Sequence, residues 1–351
     1  MKHILLYLLL LALIFTVYAR VITFPFIQDD YTYLNDFKEG GVTSRLRPAG
    51  HFYRPLAALY LYGMYKTFGA CPAPFHVAAL LIHFFTTIII IRFVRIIYPY
   101  EPLAWCVGFI YAFAGTVHIE CLIWVVGVHD LGGMFFFMLA MLLFVRCRTW
   151  MGAVAYLAAC LFKEQAIVLP LILLFWDWKR VRPYLATMCV VLLVRQLGAS
   201  PFTLPPDHAY HVSLWGWHVL ANISQYLRYV AEVFGPFSIG AIVFILVCTG
   251  VARGNIAWFV IALLPALFLP NHLYRYYAIY ALPCFVYLFI GGLERIVDVV
   301  IDQAEVRRRV TIWATAIIVL VSIWNIQLVL HGKPMDGGTN NLVQKIERSG
   351  E

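Results

Sequence analysis

The chain has 351 residues, 63% of them apolar and only 13% charged, with a formal net charge of +8 and a mean hydropathy of +0.82. A soluble domain carries about 25% charged residues, and no stretch here is polar enough to cover one. Composition therefore excludes a soluble enzyme and points to an all-α polytopic membrane protein. The basic excess does not indicate a nucleic-acid partner. Arg92, Arg95, Arg146, Arg148, Lys179, Arg180, Arg182, Arg253 and Arg307 to Arg309 sit in short joints between apolar runs, which is the pattern of positive-inside topology and of contact with anionic lipid headgroups.

The first apolar run covers about residues 4–25, long enough to span. Lys2, His3 and "VYA" before Arg20 also suit a cleavable signal peptide. Apolarity resumes at once with "VITFPFI", so a retained first helix is expected. A polar first outer loop, about 28–74, follows, and within it "RPLAALYLYGMYKTFG" has the pattern of a helix lying in the membrane interface. Further spans are expected at about 75–97, from about 103 to "HIECLIW", at about 131–146, from about 151 to "FKEQA", from about 167 to "WDWKR", and at about 184–198. A second outer loop, about 199–235, carries "SLWGWHVLANISQYLRYVAEVFGPF", suited to an amphipathic interfacial helix with Arg228 near the headgroups. Later spans descend to Arg253, rise to Pro270, descend to Glu294 and rise again from Val310. That makes about eleven, with the N-terminus inside and the C-terminus outside. Residues 1–330 then form one transmembrane domain and 331–351 a short polar tail. None of the eight cysteines has CxxC or metal-ligand spacing. They read as small buried apolar residues, with Cys71 and Cys121 both placed where an outer-side disulfide would be allowed.

Several polar groups are not needed for topology and gather at outer ends of spans: Asp29, Asp30, Arg54, His118, Glu120, His129, Asp130, Lys163, Glu164, Arg228, His272 and Arg275. Each unpaired charge in hydrocarbon costs about 2.5–3.5 kcal/mol on insertion scales, so the clustering suggests a shared polar cavity opening outward. Water-facing loops would hold some of them without cost. In "LFKEQAIVLP", Lys163 and Glu164 form either a local ion pair in a tight turn or a lysine held for an anionic ligand and oriented by the glutamate. In "HIECLIWVVGVHD", His118 and Glu120 suit either a polar loop network or a divalent cation, as do Asp29 and Asp30 in "PFIQDDYTYLNDF". In "PNHLYRYYAIYALP", the tyrosines fit an interfacial belt, while the Arg275 guanidinium suits bidentate phosphate binding.

The order of "DDYTYL", "YRPLAALYLYGMYKTFGACPAPFHVAALLIHF", "HIECLIWVVGVHD", "LFKEQAIVLPLILLFWDW" and "HLYRYYAIYALP" resembles the GT-C superfamily of integral-membrane glycosyltransferases, over about residues 25–290. Within it the likeness is greatest to the protein O-mannosyltransferase-like group. The resemblance implies an acidic pair in the first outer loop that carries catalysis, here Asp29 and Asp30, with Asp29 as general base. It implies a polyprenyl-phosphate sugar donor whose phosphate is held by basic residues, here Lys163, Arg275 and Arg54. Glu164, His118, Glu120, His272 and Arg228 are expected in support. Tyr274 stands where the family often has a glutamate, Val117 where a proline is usual, and no tetratricopeptide repeats follow.

The expected function is transfer of a sugar to an acceptor on the outer face of a cytoplasmic membrane. The acceptor class stays open among protein, polysaccharide and glycolipid, and a divalent cation is compatible with the acidic pair. Two other readings use the same charges: a glycolipid transporter or flippase, and an inactive scaffold of a glycan assembly complex.

Overall fold

The computed structural model describes residues 2–47, 52–98, 101–196, 204–237, 253–301 and 303–331. Every regular element among them is helical. Three described helices are long and apolar enough to cross a membrane, namely Pro72–Ile97, Val125–Val145 and Glu305–Leu330. A fourth span results if Glu101–Ala112 and Gly115–Ile123, bent by 51° at their junction, are counted together. The span expected just before Arg253 and the tail from residue 332 fall mostly or wholly outside the described residues.

The other expected spans appear as shorter helices, and the sequence explains why. Helix α1 (Lys2–Val17) gives way to a 3-10 turn at Ala19–Thr23. In the segment expected to form the first outer loop, α2 (Asp29–Gly40) starts with two acids in its first turn, where the helix dipole favours them. After the short α3 (Thr43–Leu46), the expected interfacial helix is α4 (Pro55–Phe68), with Pro55 at its first position and Gly69 at φ +62° ending it. The bundle continues through α5 (Pro72–Ile97), α6 (Glu101–Ala112), α7 (Gly115–Ile123), α8 (Val128–Val145) and α9 (Thr149–Phe162). Lys163 is extended, which splits the next apolar run into α9, a 3-10 turn at Glu164–Val168 and α10 (Leu169–Leu174). Then come α11 (Arg182–Arg195), the strongly amphipathic α12 (Trp217–Ala231), α13 (Arg253–Leu267), α14 (Leu282–Val300) and α15 (Ala304–Leu330).

Helix α8 lies between α5 and α9, α6 packs on α5, α14 and α15, and α11 packs on α9. The core between them is apolar and close-packed around Tyr111, Phe113, Phe137 and Tyr156, all fully buried. On the outside, α15 exposes Trp313, Ile317, Leu320 and Trp324 along one stripe, and α1 exposes Leu5, Leu8 and Leu9. Such continuous apolar exposure suits lipid rather than water. Cys71 and Cys121 are both unpaired, Cys71 exposed and Cys121 buried, so the outer disulfide is not formed.

The bend between α6 and α7 frees carbonyls that would be costly to leave bare in apolar surroundings. Three side chains satisfy them. The Tyr18 hydroxyl and His83 Nε2 both donate to the Ala112 carbonyl, at 3.1 and 2.9 Å, and His118 Nε2 donates to the Tyr111 carbonyl at 2.9 Å. Asn222 on α12 does the same service for α13, donating to Leu267 and Leu269.

Candidate functional site

A cavity of about 420 Å³ lies where the segment from α2 to the start of α4 meets the starts of α8 and of the 3-10 turn after α9. Small-molecule sites typically run from about 300 to 1,000 Å³. One wall is a single face of α2, with Asp29, Thr32, Tyr33 and Asp36 recurring at the three- and four-residue spacing of a helix. Four acidic residues (Asp29, Asp36, Glu120, Asp130) and four basic ones (Arg45, Arg47, Arg54, Lys163) line it, so the cavity is electrically balanced.

Asp29 is exposed and borders the cavity. Asp30 is not, being only 2% exposed. Its carboxylate accepts the backbone N–H of Ile27 and of Val126, each at 2.9 Å, and of Val125 at 3.4 Å. It thereby ties the start of α2 to the 3-10 turn Val125–Gly127 that leads into α8. Burial pushes its pKa up to about 6, against the lowering effect of those three N–H groups, with the Asp29 charge adding to the rise. Gln28, immediately before the pair, holds φ +45°, a left-handed conformation that a non-glycine residue adopts at a cost of about 1–3 kcal/mol. The two carboxylates that follow it are consecutive residues of α2 and so point about 100° apart around the helix axis.

The basic side is built from two ion pairs. Arg54 extends its fork to both oxygens of Glu164, with Nε to Oε2 at 2.7 Å, and its remaining arm reaches His129 Nδ1 at 3.1 Å. Lys163 Nζ bonds Asp130 Oδ2 at 3.0 Å, both side chains being nearly fully buried, and sits over the rings of Tyr276 and Tyr277 at 5.2 Å. The local Lys163–Glu164 pair allowed by the sequence is therefore replaced by two longer-range ones. Extended backbone at Lys163 sends adjacent side chains in different directions, toward Asp130 on α8 and toward Arg54 before α4. Gly133 makes room for this packing, since a Cβ there would lie 2.9 Å from Lys163 Cβ and closer still to the Tyr280 hydroxyl.

The remaining expected residues are distributed less evenly. Glu120 lines the cavity. His118 does not; it is fully buried at the α6–α7 bend, its ring 4.6 Å from that of His83. Arg275 is 5% exposed and bonded to Glu232, stacked over Tyr229, and is not among the lining residues. Arg228 is exposed and reaches the same Glu232 at 3.3 Å. His272 stands one layer behind the wall, 4.1 Å from the ring of Tyr210. Burial, then the Lys163 and Arg54 charges, push its pKa down to about 4. Asp29, Asp30, His118 and Glu120 are thus not gathered into one ligand set, and no group of three or more His, Cys, Asp or Glu among the described residues is arranged for a metal ion. Residues not singled out from the sequence also line the cavity, notably Tyr33, Asp36, Arg45, Trp124 and Tyr210. The α2 face was readable as a helical pattern in "DDYTYLND"; Tyr210 comes from a distant loop with no such signal.

Comparison with protein-family models, with curated proteins and with solved structures finds no match to this chain.

Proposed function

We propose that this protein is a membrane glycosyltransferase that moves a sugar from a polyprenyl-phosphate donor to an acceptor hydroxyl on the outer face of a cytoplasmic membrane. The observation that carries the reading is the sharing of one cavity by an exposed carboxylate, Asp29, and two cations, Arg54 and Lys163. The about eleven-span arrangement with its N-terminus inside belongs to this proposal, as does the outward orientation of the cavity.

In this mechanism Asp29 accepts the proton of the acceptor hydroxyl as its oxygen attacks the anomeric carbon. The bond from that carbon to the phosphate oxygen breaks, and polyprenyl phosphate leaves from the opposite face with inversion. General-base assistance of this kind is worth about 10²–10⁴ in rate. The leaving phosphate gains charge, and cations fixed beforehand stabilise it without reorganising. Glu164 and His129 hold Arg54, and Asp130 holds Lys163, from behind. Arg275, bonded to Glu232 and not among the residues lining the cavity, has a weaker claim to the phosphate than the sequence suggests.

The test is mass spectrometry of surface glycans and glycolipids from cells carrying wild type or Asp29→Asn at equal membrane levels. Loss of one sugar increment with accumulation of the donor supports transfer and identifies the sugar. An unchanged profile removes Asp29 from the chemistry and favours a transporter or a scaffold.

A further inference from the structure

The basic joints between helices do not share one chemistry. Around the joint of α14 and α15 the cations are matched: Arg307 pairs with Asp298, and Arg308 and Arg309 pair with Glu305. The joints between α8 and α9 and between α10 and α11 differ. Arg146, Arg148, Lys179, Arg180 and Arg182 are all exposed there, and the stretches 146–149 and 175–182 contain one acid, Asp177. That acid is already committed. One of its oxygens accepts the backbone N–H of Lys179 at 3.0 Å and of Arg180 at 3.4 Å, and the other pairs with Arg180 Nε at 2.9 Å. Arg146, Arg148, Lys179 and Arg182 are left with no carboxylate partner among the described residues.

Packing brings the two joints together. Helix α9 packs on both α8 and α11, and Arg180 Nη1 donates to Cys147 Sγ at 3.0 Å across the gap. Cys147 holds φ +59°, the left-handed conformation that ends α8 and turns the chain sharply into α9. Arg146 and Arg148 flank Cys147, while Lys179 and Arg182 flank Arg180. The last two also share one support, standing 5.9 and 6.0 Å from the centre of the Trp178 ring. The result is two pairs of like charges held close to each other, an arrangement that repels itself until an anion enters.

The surroundings say which anion. Trp150, Met151, Phe175 and Trp178 are all exposed beside these cations, and aromatic side chains next to basic ones mark the boundary between headgroups and hydrocarbon. Helix α8, which ends at Arg146, has 18 residues and so rises about 27 Å, close to the hydrocarbon thickness of a bilayer, about 30 Å. Asp130, in its first turn, lines the cavity. The unmatched cations therefore lie about one hydrocarbon thickness from the cavity, level with the opposite headgroup layer.

We propose that the joined α8–α9 and α10–α11 turns form a binding site for one anionic phospholipid carrying two phosphates, Arg146 and Arg148 holding one and Lys179 and Arg182 the other, with Trp150 and Trp178 against its glycerol and upper acyl region. The site is separate from the cavity and does not depend on the transferase reading.

The test is native mass spectrometry of the full-length protein released from nanodiscs of phosphatidylcholine containing a tenth of either diphosphatidylglycerol or phosphatidylglycerol. One diphosphatidylglycerol per protein is expected to be retained, at least tenfold more strongly than either other lipid. Lys179→Gln combined with Arg182→Gln is expected to weaken its retention about ten- to thirtyfold, from the loss of two basic contacts. Trp178→Leu, which keeps every charge, is expected to weaken it as well. Arg308→Gln combined with Arg309→Gln removes the same charge at the matched joint and is expected to change nothing. Equal weakening by both double variants overturns the proposal, because it means diffuse attraction to net charge. Equal retention of the one- and two-phosphate lipids overturns it too, as does retention unaffected by either Lys179→Gln with Arg182→Gln or Trp178→Leu. All of these side chains are exposed, and an unfolding temperature in detergent matching wild type confirms that each variant is folded.

Discussion

Asp29 and Asp30 are adjacent in sequence, yet their carboxylates serve different surroundings. Asp29 borders the open cavity, and Asp30 is closed off beneath it, accepting the N–H of Ile27 and Val126 at 2.9 Å. A pair of aspartates that reads as one element in sequence is thus divided between an exposed group at the cavity and a buried one that ties backbone together. Asp29→Asn is expected to lower transfer by about 10²–10⁴ and to leave the unfolding temperature in detergent within a degree or two of wild type, since Asp29 is exposed. A comparable loss of stability would assign Asp29 a structural role instead.

Asp30→Asn is expected to have the opposite profile. An amide cannot accept all three N–H groups, and each one left bare costs about 1–3 kcal/mol. The pH dependence has a definite sign. A carboxyl whose pKa rises from 3.8 to about 6 on folding is held more tightly by its proton in the folded state. Its stabilising contribution is therefore complete below the ordinary value and lost as pH rises through about 6. Thermal unfolding of wild type and Asp30→Asn between pH 4 and 7 checks this: the slope belonging to Asp30 should vanish in the variant.

The Arg54–Glu164 pair offers a separation of stability from activity. Removing one partner strands a buried charge and costs about 3–5 kcal/mol, whereas replacing both by apolar residues is often neutral. Arg54→Ala is expected to unfold readily, and Arg54→Met combined with Glu164→Met to recover most of the stability while remaining inactive. Recovery of transfer in the double variant would remove Arg54 from phosphate stabilisation.

Gly133→Ala tests the placement of Lys163 without changing any charge. The added methyl crowds Lys163 Cβ and the Tyr280 hydroxyl, and overpacking of this kind costs about 1–3 kcal/mol. Transfer per folded molecule is expected to fall, with donor affinity weakened. Normal transfer with reduced stability would mean that the lysine tolerates displacement.

Much of this organisation was legible in the residues, and the limits have physical causes. Helical patterning located the amphipathic α12 and the helix α4, and the Asp29, Arg54, Lys163 and Glu120 side chains do border one cavity. Apolar length alone overstated continuity where α6 and α7 are bent at Phe113 and Ala114, positions whose own residue types give no break signal, whereas the interruption expected at "FKEQA" is where Lys163 is extended. Pairing was less legible still. Glu164 lies next to Lys163 in sequence but joins Arg54, 110 positions away, because backbone direction decides where adjacent side chains go. His118 looked like a ligand for the same reason that it serves as a cap: an imidazole in an apolar segment needs a partner, and sequence does not say whether that is a cation or a carbonyl.

The bend between α6 and α7 also sets an order of events during synthesis. Of the three groups that satisfy its carbonyls, Tyr18 and His83 precede the bend in the chain, and only His118 follows it. Chains emerge N-terminus first, so α1 and α5 exist before the segment that needs them. The early helices are therefore already made when the discontinuous segment that they satisfy is synthesised. Damage to Tyr18 or His83 would be felt as a failure of assembly at a position far along the chain from the altered residue.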